Sequence, residues 1–205
     1  IPAATLQRFW TMLAHSQGGL LNAAKFARSL GVDGKTIANY LDLFVDLLLV
    51  RRLQPWQNNH GKRMVKSPKV YVRDSGITHA LLGLTTMDDL LGHPIAGESW
   101  EGYVVENLHT AMPDHAESYF YRSSGGAEVD LLIAPMPGCL SKDLWAIEIK
   151  RGLQPKLSRG FQSACDDLGT EHRYVVYPGE ESYPLNHGAM AISLSDLMKK
   201  LQTAH

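Results

Sequence analysis

Leu144-Trp145-Ala146-Ile147-Glu148-Ile149-Lys150-Arg151 is the stretch whose reading decides the fold. Trp145, Ile147 and Ile149 alternate with Ala146, Glu148 and Lys150, a period of two that predicts a strand with Glu148 and Lys150 on one face. Upstream, residues 128–134 alternate in the same way, Val129, Leu131 and Ile133 on one face and Asp130 on the other. The connection between the two strands is centred on residue 139. A symmetric hairpin about that point sets Asp130 opposite Glu148, and Glu128 opposite Lys150. Directly opposed residues have Cβ atoms roughly 4.5–5.5 Å apart, where two carboxylates repel. A hard divalent cation, Mg²⁺ or Mn²⁺, would turn that repulsion into binding because it takes oxygen ligands. Lys150, on the same face, is placed to hold a nucleophilic water or to steady a negatively charged phosphorane-like state.

Working outward, residues 97–112 read as a helix, 118–122 as a strand, 154–168 as a helix and 173–177 as a strand. With the two strands above, the order is αβββαβ, a small α/β domain. On the first of these helices, at about 100° per residue, Trp100, Val104, Val105, Leu108, Ala111 and Met112 fill one apolar arc. Glu101 falls inside that arc, while Glu106 falls on the far side. A carboxylate on a core-facing stripe is costly without a partner or a metal. Glu101 is therefore the candidate third acid, and a salt bridge to Lys150 or Arg122 is the structural alternative.

Residues 5–15 read as a helix carrying Leu6, Phe9, Trp10 and Leu13, and 21–30 as a short helix ended by Gly31. Asp33 caps a longer helix whose apolar stripe is Ile37, Tyr40, Leu41, Phe44 and Leu48. Two helices joined by a short turn make a helix-turn-helix. Residues 50–56 and 62–65 flank Asn58-Asn59-His60-Gly61, a hairpin signal that would form a wing. Lys35, Thr36 and Asn39 lie on the outward side of the second helix, followed by Asp42 and Asp46, which would repel phosphates. Gly34-Lys35-Thr36 resembles the end of a P-loop, but Ser29 stands where that pattern needs glycine and a helix precedes it, which excludes ATP binding here.

Lys and Arg number 20 against 21 Asp and Glu, for a net charge of −1, which excludes a uniformly basic nucleic-acid binder but not a local one. Residues 51–73 hold Arg51, Arg52, Lys62, Arg63, Lys66, Lys69 and Arg73 and no acid. Residues 150–159 hold Lys150, Arg151, Lys156 and Arg159, again with no acid. Such runs are solvated faces or phosphate-contacting surfaces. Trp56, Tyr71 and the amides of Gln57, Asn58 and Asn59 in the first run favour nucleic acid. The two cysteines, Cys139 and Cys165, give neither a disulfide framework nor a thiolate zinc site, so a reducing cytoplasm is expected. No run is long and apolar enough for a membrane helix and no leader pattern is present, so no membrane partner is expected. The first residue is Ile1 rather than Met, as expected of part of a longer polypeptide. The histidines have no metal-ligand spacing.

Gly97-x-x-Trp100-Glu101-x-x-Val104-x-Glu106, Tyr121-Arg122, Glu128-Val129-Asp130 and Ala146-Ile147-Glu148-Ile149-Lys150 together resemble the PD-(D/E)XK nuclease-like superfamily, whose core has the αβββαβ order. The whole chain is similar to the C-terminal region of predicted prokaryotic AAA+ ATPases that end in domain of unknown function 4143. Lys69-Val70-Tyr71-Val72-Arg73-Asp74-Ser75-Gly76-Ile77 and Leu81-Leu82-Gly83 are similar to that family's linker. The resemblance implies a winged helix over residues 1–75, a helical linker over 76–95 and a restriction-endonuclease-like domain over 96–205, preceded in the full-length protein by an ATPase module that alone would bind ATP. It implies Glu101, Asp130 and Glu148 as metal ligands, with Lys150 as the catalytic lysine beside Asp130 and Glu148. Gln162 is implied as a phosphate or backbone contact, and Val129 departs from the motif's proline. The expected activity is Mg²⁺- or Mn²⁺-dependent cleavage of DNA, with Arg51, Arg52, Lys62, Arg63 and Arg122 gripping it, in a chain that can oligomerise. The alternative is a non-catalytic nucleic-acid- or protein-binding regulatory module that keeps the nuclease-like fold.

Overall fold

The computed structural model describes residues 2–57, 64–136 and 144–203, and they divide into two compact units. Unit 1 is Ile1–Leu53 with Ser67–Tyr103; unit 2 is Gln54–Lys66 with Val104–His205.

Unit 1 opens with helix α1 (Ala3–Ala14), the two-residue strand β1 (Gly19–Leu20), α2 (Ala23–Leu30) and α3 (Gly34–Asp46). Asn22 caps α2 through the Lys25 N–H, and Asp33 caps α3 through the Thr36 N–H, each satisfying a donor the helix leaves orphaned. Phe9, Leu13, Phe26, Ile37, Tyr40, Leu41 and Phe44 meet in one core, with Phe9 edge-on to Phe26 and stacked on Phe44. Leu48, expected on the same stripe, is instead 68% exposed beyond the helix end, with φ 58°. Strand β2 (Val50–Pro55) then pairs with β3 (Lys69–Val72), Val50 opposite Val72 and Leu53 opposite Lys69. Of residues 62–65, the partner expected for β2, the described Met64 and Val65 lie along Ser123 and Arg122 instead. The β-branched pair Val70 and Val72 completes the helical core, which the polar sequence around Lys62 cannot do. Lys62, Arg63 and the turn at 58–61 lie outside the described residues. On its other edge β3 pairs with β1, giving the antiparallel order β1-β3-β2. Helices α4 (Ser75–Leu81) and α5 (Met87–Gly92) follow within this unit, α4 capped by Asp74 and α5 by a Thr86–Asp89 capping box, along the stretch expected as a helical linker.

Helix α6 (Ala96–Ala111) carries the chain from one unit into the other. Unit 2 then orders β4 (Ala116–Arg122), β5 (Glu128–Pro135), β6 (Trp145–Ile149), α7 (Arg159–Leu168), β7 (His172–Tyr177), β8 (Tyr183–Pro184), β9 (Met190–Ser193) and α8 (Leu194–Thr203). The sheet is mixed: β4, β5 and β6 are antiparallel neighbours, β6, β7 and β9 are parallel, and β8 closes the far edge antiparallel to β9. The last residues of β2, Gln54 and Pro55, run parallel to β4 at the other edge. Phe161, Ala164 and Cys165 of α7 bury against Tyr121, Val129, Leu132 and Ala146 on one face. On the other face, His109 of α6 hydrogen-bonds to Ser118 of β4 at 3.1 Å. Helix α7 starts only at Arg159, later than expected. Pro155 and the Ser158 cap decide this, because proline disfavours helix in the residue before it. Among the described residues no helix is long and apolar enough to cross a membrane.

Candidate active site

The β5–β6 ladder pairs Ile133 with Trp145, Leu132 with Ala146 and Leu131 with Ile147, the register of a hairpin centred on residue 139. It stops there, although β5 reaches back to Glu128 and β6 runs on to Ile149. The cause lies on the other side of β5. Tyr119 pairs with Leu132 and Tyr121 with Val129, so two steps along β4 match three along β5, a bulge at Asp130 and Leu131. The bulge breaks the alternation read from the sequence: Val129 does not share a face with Leu131 but joins Leu132 against α7. It also re-aims Asp130, whose Oδ2 accepts the Ile149 N–H at 2.9 Å in place of a ladder bond. Asp130 is thereby fixed one residue along β6 from Glu148.

Glu148 is 4% exposed, and its two oxygens are divided between two partners. Oε1 receives the Lys150 ammonium at 2.8 Å, and Oε2 the Ser158 backbone N–H at 3.2 Å. A buried carboxylate requires such partners. Since Lys150 and Ser158 begin and end the β6–α7 connection, one side chain pins both ends of it. The group sits at the carboxyl end of β6 where parallel strands β6 and β7 lead out of the sheet, the position at which open α/β sheets bind ligands. The first turn of α7 approaches closely: a Cβ on Gly160 would stand 2.7 Å from the Gly126 carbonyl oxygen. Nearby nucleophile candidates are disfavoured as anions. Burial pushes the Cys165 thiol up to about 12, and burial with the Asp167 hydrogen bond pushes Tyr121 up to about 12.

The remaining expected residues fall elsewhere. Glu101 lies in unit 1 and is not turned to solvent, its side chain being 20% exposed. Its Oε1 receives the Lys69 ammonium at 3.0 Å and the Tyr71 hydroxyl at 2.6 Å. The salt-bridge partner is thus Lys69 rather than Lys150 or Arg122. The sequence carried the signal for it: Lys69 and Tyr71 alternate with the core residues Val70 and Val72, so a lysine and a tyrosine share a face with no acid of their own strand. Arg122 pairs with Glu128 at 3.7 Å. Gln162 Nε2 and His187 Nδ1 hydrogen-bond at 3.0 Å. Arg52 is ion-paired with Asp42 of α3, and Arg51 also has an interaction partner. Among the described residues, no group of three or more His, Cys, Asp and Glu side chains is arranged to hold a metal ion. Asp130 and Glu148 remain a pair of hard oxygen donors, and one or two carboxylates are the usual protein contribution to a Mg²⁺ site that keeps several waters.

Comparison with known proteins finds two family models along the chain. Residues 96–197 match the family model of the domain of unknown function DUF4143, and residues 1–88 match that of the domain of unknown function DUF8612. Over 198 residues the chain is 42% identical to the uncharacterized protein Rv2008c of Mycobacterium tuberculosis and to the uncharacterized protein Mb2031c of Mycobacterium bovis. Each match covers 97% of this chain and 44% of the relative, so the chain spans less than half the length of these curated relatives. No solved structure matches it.

Proposed function

On the premise that residues 96–197 are a DUF4143 domain and residues 1–88 a DUF8612 domain, we propose that the chain is the C-terminal portion of an AAA+ ATPase-family protein whose second unit is a PD-(D/E)XK-like, metal-dependent DNA phosphodiesterase. The observation that carries this reading is the convergence of Asp130, Glu148 and Lys150 where β5 and β6 part, with Asp130 on the Ile149 N–H and Lys150 on Glu148. The order α6-β4-β5-β6-α7-β7 supports it, as α1-β1-α2-α3-β2-β3 supports a winged helix in the first unit. Asp130 and Glu148 would hold Mg²⁺ or Mn²⁺, which when bound supplies Lewis-acid polarisation of the phosphodiester and an activated water. Lys150 would orient that water and offset the negative charge that builds on the phosphate. Its ammonium must then share Glu148 with the ion, which keeps it within reach of the reacting group. Glu101 is assigned to Lys69 and Tyr71, not to the ion.

The test is cleavage of a labelled duplex in Mg²⁺ or Mn²⁺. Asp130→Asn and Glu148→Gln are expected to lose activity by at least about 10²-fold while keeping the wild-type circular dichroism, and Lys150→Met to lose about 10²–10⁴-fold. Cleavage that survives Asp130→Asn, or that persists in chelator, would sink the reading. One observation favours the second reading, a non-catalytic regulatory module of the ATPase: the described residues supply two converging acids rather than three. Absence of both cleavage and calorimetric Mn²⁺ uptake by the wild-type chain would establish it.

A further inference from the structure

We propose that the connection between β6 and α7, with the first residue of that helix, is the surface that grips the phosphodiester backbone, through Arg151, Lys156 and Arg159. The inference rests on the phosphodiesterase reading in taking the bound polyanion to be the substrate. Its grounds are the fates of the two basic runs. Among the described residues of the first run, four of the five cations have partners: Arg52 is ion-paired with Asp42, Lys69 is 4% exposed and bound to Glu101, and Arg51 and Arg73 have partners, while Lys66 is exposed. In the second, Arg151, Lys156 and Arg159 are all exposed, and none has an ion pair or side-chain hydrogen bond among the described residues. No acid lies between Lys150 and Arg159 to compensate them. Three exposed cations within nine residues offer a polyanion several charges from one short segment.

The loop is also held in place. Glu148 pins it at Lys150 and Ser158, Pro155 is buried, and Gly160 seats the helix start against Gly126. Cations on a pinned loop keep a fixed offset from Asp130 and Glu148, so a backbone bound along them is presented to those acids in one register. Leu153, 70% exposed between Arg151 and Lys156, adds an apolar surface suited to a sugar or base edge.

The experiment is a titration of a fluorescent DNA duplex with the wild-type chain, followed by anisotropy in chelator across a range of salt. Each phosphate that a cation neutralises contributes about 0.9 to the slope of log K against log salt. The variant Arg151→Ala/Lys156→Ala/Arg159→Ala is expected to lower the slope by about 2–3 and to weaken binding by more than roughly tenfold at moderate salt. Arg151→Lys/Arg159→Lys keeps the charge and is expected to keep the slope, which separates removal of cations from damage to the fold. Lys199→Ala/Lys200→Ala, two cations removed from α8, is expected to leave it unchanged. A wild-type slope in the triple variant, or no duplex binding by the wild type, overturns the proposal. The two readings fail separately: cleavage with an unchanged slope retires the loop and leaves the hydrolase, and a lowered slope without cleavage retires the hydrolase and leaves the loop.

Discussion

At the scale of single residues, Leu48 shows how a local rule can be read correctly and still mislead. Periodicity puts it on the stripe of α3, but the helix ends two residues earlier. Leu48 takes the left-handed position after the C-cap, with its N–H on the Val45 carbonyl and the Leu49 N–H on that of Phe44. Those bonds close the helix in the manner usually given to glycine. A leucine there costs about 1–2 kcal/mol in backbone strain, and at 68% exposure its side chain recovers little of that by burial. Leu48→Gly is therefore expected to stabilise the protein by about 0.5–1 kcal/mol after the extra entropy of the unfolded glycine. A urea midpoint equal to or below that of the wild type would refute this. Sequence alone could not place Leu48, because apolar periodicity runs on past a helix end that is decided by backbone bonds.

At the scale of elements, strand periodicity serves well for β6 and for its register on β5, because alternation and loop length fix them locally. It fails for β5, where one inserted residue turns Val129 toward α7, since nothing in the composition of residues 128–131 announces a bulge. The helix arc for α6 puts Glu101 correctly among buried neighbours. What it cannot supply is the partner, which comes from β3, some thirty positions earlier in the chain. Lys69 and Tyr71 of β3 bind Glu101, while Gln17 hydrogen-bonds both the N–H and the carbonyl of Val72. Gly102 leaves room for that glutamine; a Cβ there would stand 2.5 Å from Gln17 Nε2. The joint between β3 and the start of α6 is thus polar, buried and tightly fitted, a setting in which removing one partner hurts more than removing both. Lys69→Met is expected to cost about 3–5 kcal/mol by leaving Glu101 without its counter-charge. Lys69→Met/Glu101→Gln is expected to recover part of that, with a coupling of about 1–3 kcal/mol in the double-mutant cycle. If Glu101 were instead a metal ligand, Glu101→Gln would weaken calorimetric Mn²⁺ uptake. The expected result is a shift in the unfolding midpoint with Mn²⁺ uptake unchanged.

At the scale of the whole molecule, the two family matches leave residues 89–95 between them, and the family resemblance likewise implies a boundary between residues 75 and 96. The chain does not divide so simply, for Gln54–Lys66 belongs to the second unit and Ser67–Tyr103 returns to the first. That crossing segment matters to unit 2. Gln54 and Pro55 pair with Tyr119 and Phe120 along β4, the Trp56 N–H reaches the Phe120 carbonyl at 2.7 Å, and the Trp56 ring packs edge-on against Tyr119. Farther along, the Val65 N–H donates to the Arg122 carbonyl, and Met64 bridges Ser123. A fragment of residues 96–205 lacks all of these and exposes β4 as an unprotected edge with an apolar row beside it, the arrangement that natural sheets avoid. A fragment of residues 1–95 in turn keeps Lys69 buried without Glu101. Expressed separately, both fragments are expected to unfold at lower denaturant than the full chain, and residues 96–205 to self-associate. Adding Gln54–Lys66 back, fused ahead of residue 104, is expected to raise the midpoint of the second unit. Equal midpoints for residues 96–205 and for the full chain would mean that the crossing segment is a passenger. The boundary that sequence matching draws would then also be the physical one.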